Sequence, residues 1–138
     1  MSGIKSRDTK PERVIRQLLF ARGFRYRLHV KGLPGKPDLV FPKYRAVIFV
    51  HGCFWHGHDC HLFSLPKTRQ AFWSAKIGGN ARRDQRQMQL LRSSGWRTAT
   101  IWECALKGRG RLSPGLIAEI CDVWLTGDEI ELELAGQR

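Results

Sequence analysis

Residues 47–61 read VIFVHGCFWHGHDCH, an apolar run that passes directly into a loop crowded with reactive side chains. Residues 45–50 predict a buried strand. The loop after it holds four of the five histidines (His51, His56, His58, His61) and two of the four cysteines (Cys53, Cys60). A sheet fixes geometry and a loop supplies reach, so a strand that ends in metal-capable and proton-carrying groups marks an active-site edge. Phe54 and Trp55, in the middle of the loop, must either pack or meet something flat.

Outward from this stretch the chain reads as alternating helices and strands. Thr9 and Glu12 form a capping box with Pro11 in the first turn, and Val14, Ile15, Leu18 and Leu19 give a helical stripe that Gly23 stops. Residues 24–30 alternate enough for a strand, residues 32–37 form a turn, and Asp38 begins a strand that Pro42 ends. Thr68 caps a helix carrying Phe72 and Trp73. Gly78-Gly79 breaks or kinks it, and Asn80 restarts it through Leu91. Residues 96–102 are β-rich and lead into Glu103-Cys104, and Ser113-Pro114 opens a last helix ending near Gly127. The acidic tail from Asp128 is an edge strand or frays. The predicted order is αβββαβα, an α/β fold with a mixed β-sheet flanked by helices. No internal repeat or long linker divides it, so residues 1–138 read as one domain with a short arm at 1–8.

Charge narrows the partner. The 24 Lys+Arg against 12 Asp+Glu give +12, and five Trp accompany them. Phosphates want cations and bases offer flat faces, so nucleic acid is the expected partner. A membrane surface is disfavoured because no helix shows a clean basic-apolar division. The N-terminal MSGIKSRDTK lacks an apolar signal segment, which predicts a cytoplasmic protein whose cysteines bind metal or stay reduced.

Two metal patterns can be read from spacing. Pro37-Asp38 at the start of one strand, with the end of the next strand about a dozen residues later, is the layout of a nuclease Mg²⁺ site. The usual second element, acidic-x-Lys, is replaced by Phe49-Val50-His51. Cys53 and Cys60 together with the distant Cys104 and one imidazole complete a closed tetrahedral zinc site, with His56, His58 or His61 as the nitrogen ligand. Cys121, beside Ile120 and Trp124, reads as core.

The motifs DTKPE (8–12), LPGKPDLVFP (33–42), HGCFWHGHDCH (51–61), FWSAKIGGNARRDQR (72–86) and GWRTATIWECAL (95–106) together resemble the very short patch repair DNA mismatch endonucleases, over residues 6–124. The resemblance implies a restriction-endonuclease-like fold and nicking on the 5′ side of the T in T:G mismatches left by 5-methylcytosine deamination. It puts the Mg²⁺ ligands at Asp38 and at the Val50 carbonyl, where a threonine is familiar, and the active-site histidines at His51 and His56. The supporting carboxylates fall on Glu12 and Asp84. It selects His58 as the zinc ligand beside Cys53, Cys60 and Cys104, and makes Phe54, Trp55 and Trp73 a wedge into the duplex. Lys76, Arg82, Arg83 and Arg86 are then candidate phosphate contacts. His56, oriented by Asp84, suits removal of a proton from water, and His51 could bear charge beside the scissile phosphate, although spacing leaves open which of the two histidines is the base.

The resemblance further implies a nucleoid-associated monomer acting with repair proteins and a cytosine methyltransferase. Family members usually carry a longer basic N-terminal arm than this chain shows. Two other readings share many of these features: a restriction-type endonuclease cutting paired DNA, and a non-catalytic zinc-stabilised DNA-binding module. The second gives no reason for Asp38, His51 and His56 to converge.

Overall fold

Thr9 and Glu12 open the first helix as their spacing predicts. The Glu12 carboxylate accepts the Thr9 amide at 3.0 Å and the Thr9 hydroxyl at 2.7 Å. Helix α1 spans Lys10–Ala21 and buries Ile15 and Leu19, and Gly23 leaves it at φ 92°. The structure is a computed structural model that describes residues 9–137, so the arm expected at 1–8 lies outside the described residues.

The strands are β1 (Leu39–Phe41), β2 (Ala46–His51), β3 (Arg97–Trp102) and β4 (Glu131–Leu134). They form one sheet in the order β1-β2-β3-β4, in which β1 pairs antiparallel with β2, and β2, β3 and β4 run parallel. A strand covered on both faces reads as a continuous apolar run, which is why AVIFV lacks polar alternation. Ala46 and Ile48 join Ile15, Leu19, Ile117, Cys121, Trp124 and Leu125 on the side of α1 and α3 (Pro114–Thr126). Val47 and Phe49 join Val40, Met88 and Leu91 on the side of α2 (Gln70–Ser93). Burying each such side chain is worth about 1.5–3 kcal/mol, so the two clusters fix the register of β2. One consequence is functional: the same period of two turns His51 toward α2 and Val50 toward α1.

Three local expectations differ from the structure, and one that was left open is decided. Residues 24–30 form no regular strand; they make a single bridge, Arg27 to Val40, through hydrogen bonds of 2.8 and 3.0 Å. Their alternation is real, since Phe24 is buried and Tyr26 and Leu28 pack on the core, but His29 turns left-handed at φ 56° and ends the pairing. Gly78-Gly79 does not interrupt α2, whose 24 residues are continuous; two glycines cost less than the packing of Ile77, Met88 and Leu91 returns. Arg69 rather than Thr68 sits at its N-cap, at φ 56°. Of the two alternatives for the tail, the edge strand is the one formed: β4 pairs with β3 at the sheet edge and buries Leu134, because alternation with Leu132 gives it an apolar face. The order among described residues is therefore αββαβαβ rather than αβββαβα, and the class, a mixed sheet flanked by helices, is as expected. Cys121 is buried as core.

Candidate active site and metal centre

Three elements meet at the end of β2. Asp38, just before β1, is held by the backbone, because its carboxylate accepts the Val50 amide at 2.6 Å and its own amide donates to the Ile48 carbonyl at 3.0 Å. Glu12, 3% exposed, approaches from α1, and its charge and hydrogen bond add to burial in raising the Asp38 pKa to about 8. An Asp38 carboxyl that burial beside Glu12 keeps protonated, in a cleft of about 830 Å³, marks a place where a cation would replace that proton. The oxygen-rich donor set fits a hard divalent ion.

On the α2 side, the rings of His51 and His56 stack at 3.8 Å and 3°. His56 Nδ1 lies 2.6 Å from Asp84 Oδ2 on α2. A neutral His56 that donates Nδ1–H to Asp84 presents the lone pair of Nε2 outward, which is the form a general base requires. Burial, and then the neighbouring His56, lower the His51 pKa to about 4, and its Nδ1 has no hydrogen-bond partner among the described residues. Burial thus favours the neutral form of His51 in the DNA-free protein. A phosphate drawn alongside would shift it toward the charged form.

Gly57 separates the two kinds of chemistry in the loop. Its φ is 69°, and a Cβ there would stand 2.9 Å from Ile77 Cγ2, so only glycine allows the reversal. His56 thereby faces Asp84 while His58 faces the cysteines. The ligand atoms of Cys53, His58, Cys60 and Cys104 all lie within 4.8 Å of one another. His58 Nδ1 is 3.5 Å from Cys53 Sγ and 3.6 Å from Cys104 Sγ. A tetrahedral zinc with bonds of about 2.3 Å to sulfur and about 2.0 Å to nitrogen needs S···N separations of about 3.5 Å, so the set can hold such an ion. Burial pushes the thiols of Cys53 and Cys104 up, and the Gly136 amide, 3.3 Å from Cys104 Sγ, opposes this. Of the three histidines that spacing left open, His61 packs over Gly108 and His56 is engaged by Asp84.

Phe54, Trp55 and Trp73 come together, with centroid separations of 5.1, 5.7 and 5.8 Å, and all three are partly exposed. Lys76, Arg82, Arg83 and Arg86 are exposed on α2. Sequence reasoning missed Trp102 and Asn80. Trp102, paired in register with His51, stacks on His58 at 4.2 Å and meets the His51 ring edge-on at 5.4 Å. Its indole donates to Glu133 at 2.8 Å. It links the cysteine cluster to the histidine stack, and its place at the end of a parallel strand was the available signal. Asn80 pins the loop by donating to the Trp55 carbonyl at 2.9 Å.

The catalytic domain of the homing endonuclease I-Bth0305I shares this fold, with a TM-score of 0.58 at 20% identity, covering 86% of this chain and 97% of that one. Fold, site and relatives together define a DNA endonuclease, a hydrolase. The family model described as DNA mismatch endonuclease Vsr matches residues 1–62. The DNA mismatch endonuclease Vsr of Escherichia coli K12 is 43% identical over 137 residues, 99% of this chain and 88% of that protein. The type II nicking enzyme V.XorIIP of Xanthomonas oryzae pv. oryzae is 51% identical over 116 residues, 84% of this chain and 85% of that protein. The chain belongs to the DNA mismatch endonuclease Vsr family. Among the described residues no helix is long and apolar enough to cross a membrane.

Proposed function

We propose that the chain nicks duplex DNA on the 5′ side of the T in T:G mismatches, the lesion left when 5-methylcytosine deaminates, and so starts very short patch repair. The observation that carries this reading is the convergence of Asp38, Glu12, the His51–His56 stack and Asp84 at one end of β2. The E. coli and X. oryzae relatives, a mismatch endonuclease and a nicking enzyme, support single-strand cutting at a mismatch.

Asp38 and the Val50 carbonyl would hold Mg²⁺, with Glu12 beside them. When bound, the ion supplies charge neutralisation at the scissile phosphate. His56 Nε2 takes the proton from the attacking water, Asp84 keeps the ring oriented and stabilises the imidazolium that forms, and His51 lies against the phosphate. Cys53, His58, Cys60 and Cys104 hold a structural Zn²⁺ with no position left for substrate. Phe54, Trp55 and Trp73 wedge beside the mismatch, where unstacking a weakened step costs least. Lys76, Arg82, Arg83 and Arg86 contact phosphates. The protein works as a cytoplasmic, nucleoid-associated monomer in one domain, with repair proteins and the cytosine methyltransferase in the same pathway.

The test is His56→Ala on a strand-labelled T:G duplex with Mg²⁺. Single-turnover nicking should fall by about 10²-fold or more, while duplex affinity and the thermal melt stay near wild type. Nicking at the wild-type rate would remove His56 from the mechanism.

A further inference from the structure

The cleft beside Asp38 carries the carboxyl groups of Glu12, Asp38 and Asp84, a poor surface for a phosphate to approach. Among the described residues, Lys31 and Lys36 are the lysines and arginines that line it, and both belong to one loop, residues 29–36. That loop is unusually constrained. Four of its eight residues have left-handed backbone: His29 (φ 56°), Gly32 (92°), Gly35 (76°) and Lys36 (49°). Non-glycine residues seldom adopt this conformation, and where they do, the surroundings must hold it in place.

The surroundings here do so. Val30 and Leu33 pack on the apolar cluster of Phe49 and Met88, and the Lys36 amide closes a turn on the Leu33 carbonyl at 3.2 Å. A Cβ on Gly35 would lie 3.0 Å from Phe49 Cε1 and from Gln87 Oε1, so the loop is seated as closely as it can be. The outcome is two exposed ammonium groups presented at the cleft from an anchored frame, neither with an ion-pair partner among the described residues. Solubilising charge needs neither the anchoring nor the two left-handed non-glycine positions.

We infer that Lys31 and Lys36 form a clamp for the backbone phosphates of the strand to be cut, holding them against the Asp38–His56 centre. The inference deepens the endonuclease reading above and rests on it for the identity of the ligand. Fixed cations at the cleft offset the repulsion of its carboxylates during approach and set the register of the strand. They also supply from a neighbouring loop the positive charge that Phe49-Val50-His51 lacks at the strand end.

The experiment measures binding of a T:G duplex, with Ca²⁺ in place of Mg²⁺, across a salt series for wild type, Lys31→Met, Lys36→Met, the double methionine variant and the double arginine variant. Each lost contact should lower the slope of log affinity against log salt by about 0.9. Between about 50 and 200 mM salt, the double methionine variant should therefore lose roughly tenfold less affinity than wild type. The arginine variant keeps the wild-type slope. Replacing the phosphates flanking the bond 5′ of the T by methylphosphonates should weaken wild type severalfold and leave the double methionine variant indifferent. An unchanged slope, or equal sensitivity of both proteins to the methylphosphonates, overturns the clamp. Thermal melts report any folding defect, and the arginine variant then carries the comparison. Nicking of the same duplex with Mg²⁺ is read separately, so an uncut duplex that still shows the slope change counts against the endonuclease reading alone.

Discussion

At the level of single residues the site turns on Asp38. Its folded pKa of about 8 stands above the ordinary 3.8 because burial, and then Glu12, disfavour the charge. Between those values the folded metal-free protein holds a proton that the unfolded chain has released, so its stability should fall as pH rises through the window from about 4 to 8. Under the proposed function, Mg²⁺ would replace this proton on binding. The rise in melting temperature on adding Mg²⁺ should therefore be larger at pH 8 than at pH 5.5, and Asp38→Asn should lose that difference; a pH-independent or reversed rise would contradict the raised pKa of Asp38. The residues in this corner were legible one by one, since Asp38 follows a turn and His51 and His56 flank an apolar strand end. Their arrangement was not. The His51–His56 stack depends on the reversal at Gly57, and the contact of Trp102 depends on β2–β3 register, which pairs residues 51 apart in the chain.

At the element scale, local signals were reliable where one strong device acted and failed where packing overrode it. The Thr9–Glu12 cap and the Ser113-Pro114 start name their helices, with Ser113 accepting the Leu116 amide at 3.2 Å. Residues 24–30 show strand alternation because their side chains reach the core, yet the left-handed His29 denies them a ladder. Gly78 and Gly79 look like a break but lie inside α2, where neighbours on both sides anchor the helix. A Cβ on Gly79 would meet nothing closer than Arg82 Nη2 at 4.0 Å. Gly79→Ala should therefore raise stability by roughly 0.5–1 kcal/mol, measured by denaturant titration; a loss would show that the backbone there is constrained. The proposed zinc site would tie the loop after β2 to Cys104. A closed zinc site contributes on the order of 10 kcal/mol to the folded state, so Cys104→Ala should lower the melting temperature sharply and abolish bound zinc, against about one zinc per chain in wild type. A zinc-free wild type that melts at an unchanged temperature would contradict this assignment.

At the scale of the whole molecule, the parallel strands β2 and β3 deliver His51, Trp102 and the approach to Cys104 to the same end of the sheet, where α/β folds collect their ligands. Helix α1 brings Glu12 to one face and α2 brings Asp84 to the other, so the site spans all three layers and needs each of them. The fold class and the +12 charge were legible in composition and pattern, whereas the closeness of two metal-capable clusters separated by one tryptophan required the tertiary structure. Phe54 and Trp55 line a pocket with Glu12, His51 and His56, so under the proposed function base unstacking and bond cleavage would occur in one encounter. The most direct test of this account is the rate and position of cutting on duplexes identical except for one pair, T:G or T:A, each strand labelled in turn. With Mg²⁺, the account predicts a single nick 5′ of the mismatched T, at least about 10²-fold faster than any cutting of the T:A duplex, and no cleavage of the G strand. Equal rates on the two duplexes, or cleavage of both strands, would contradict it.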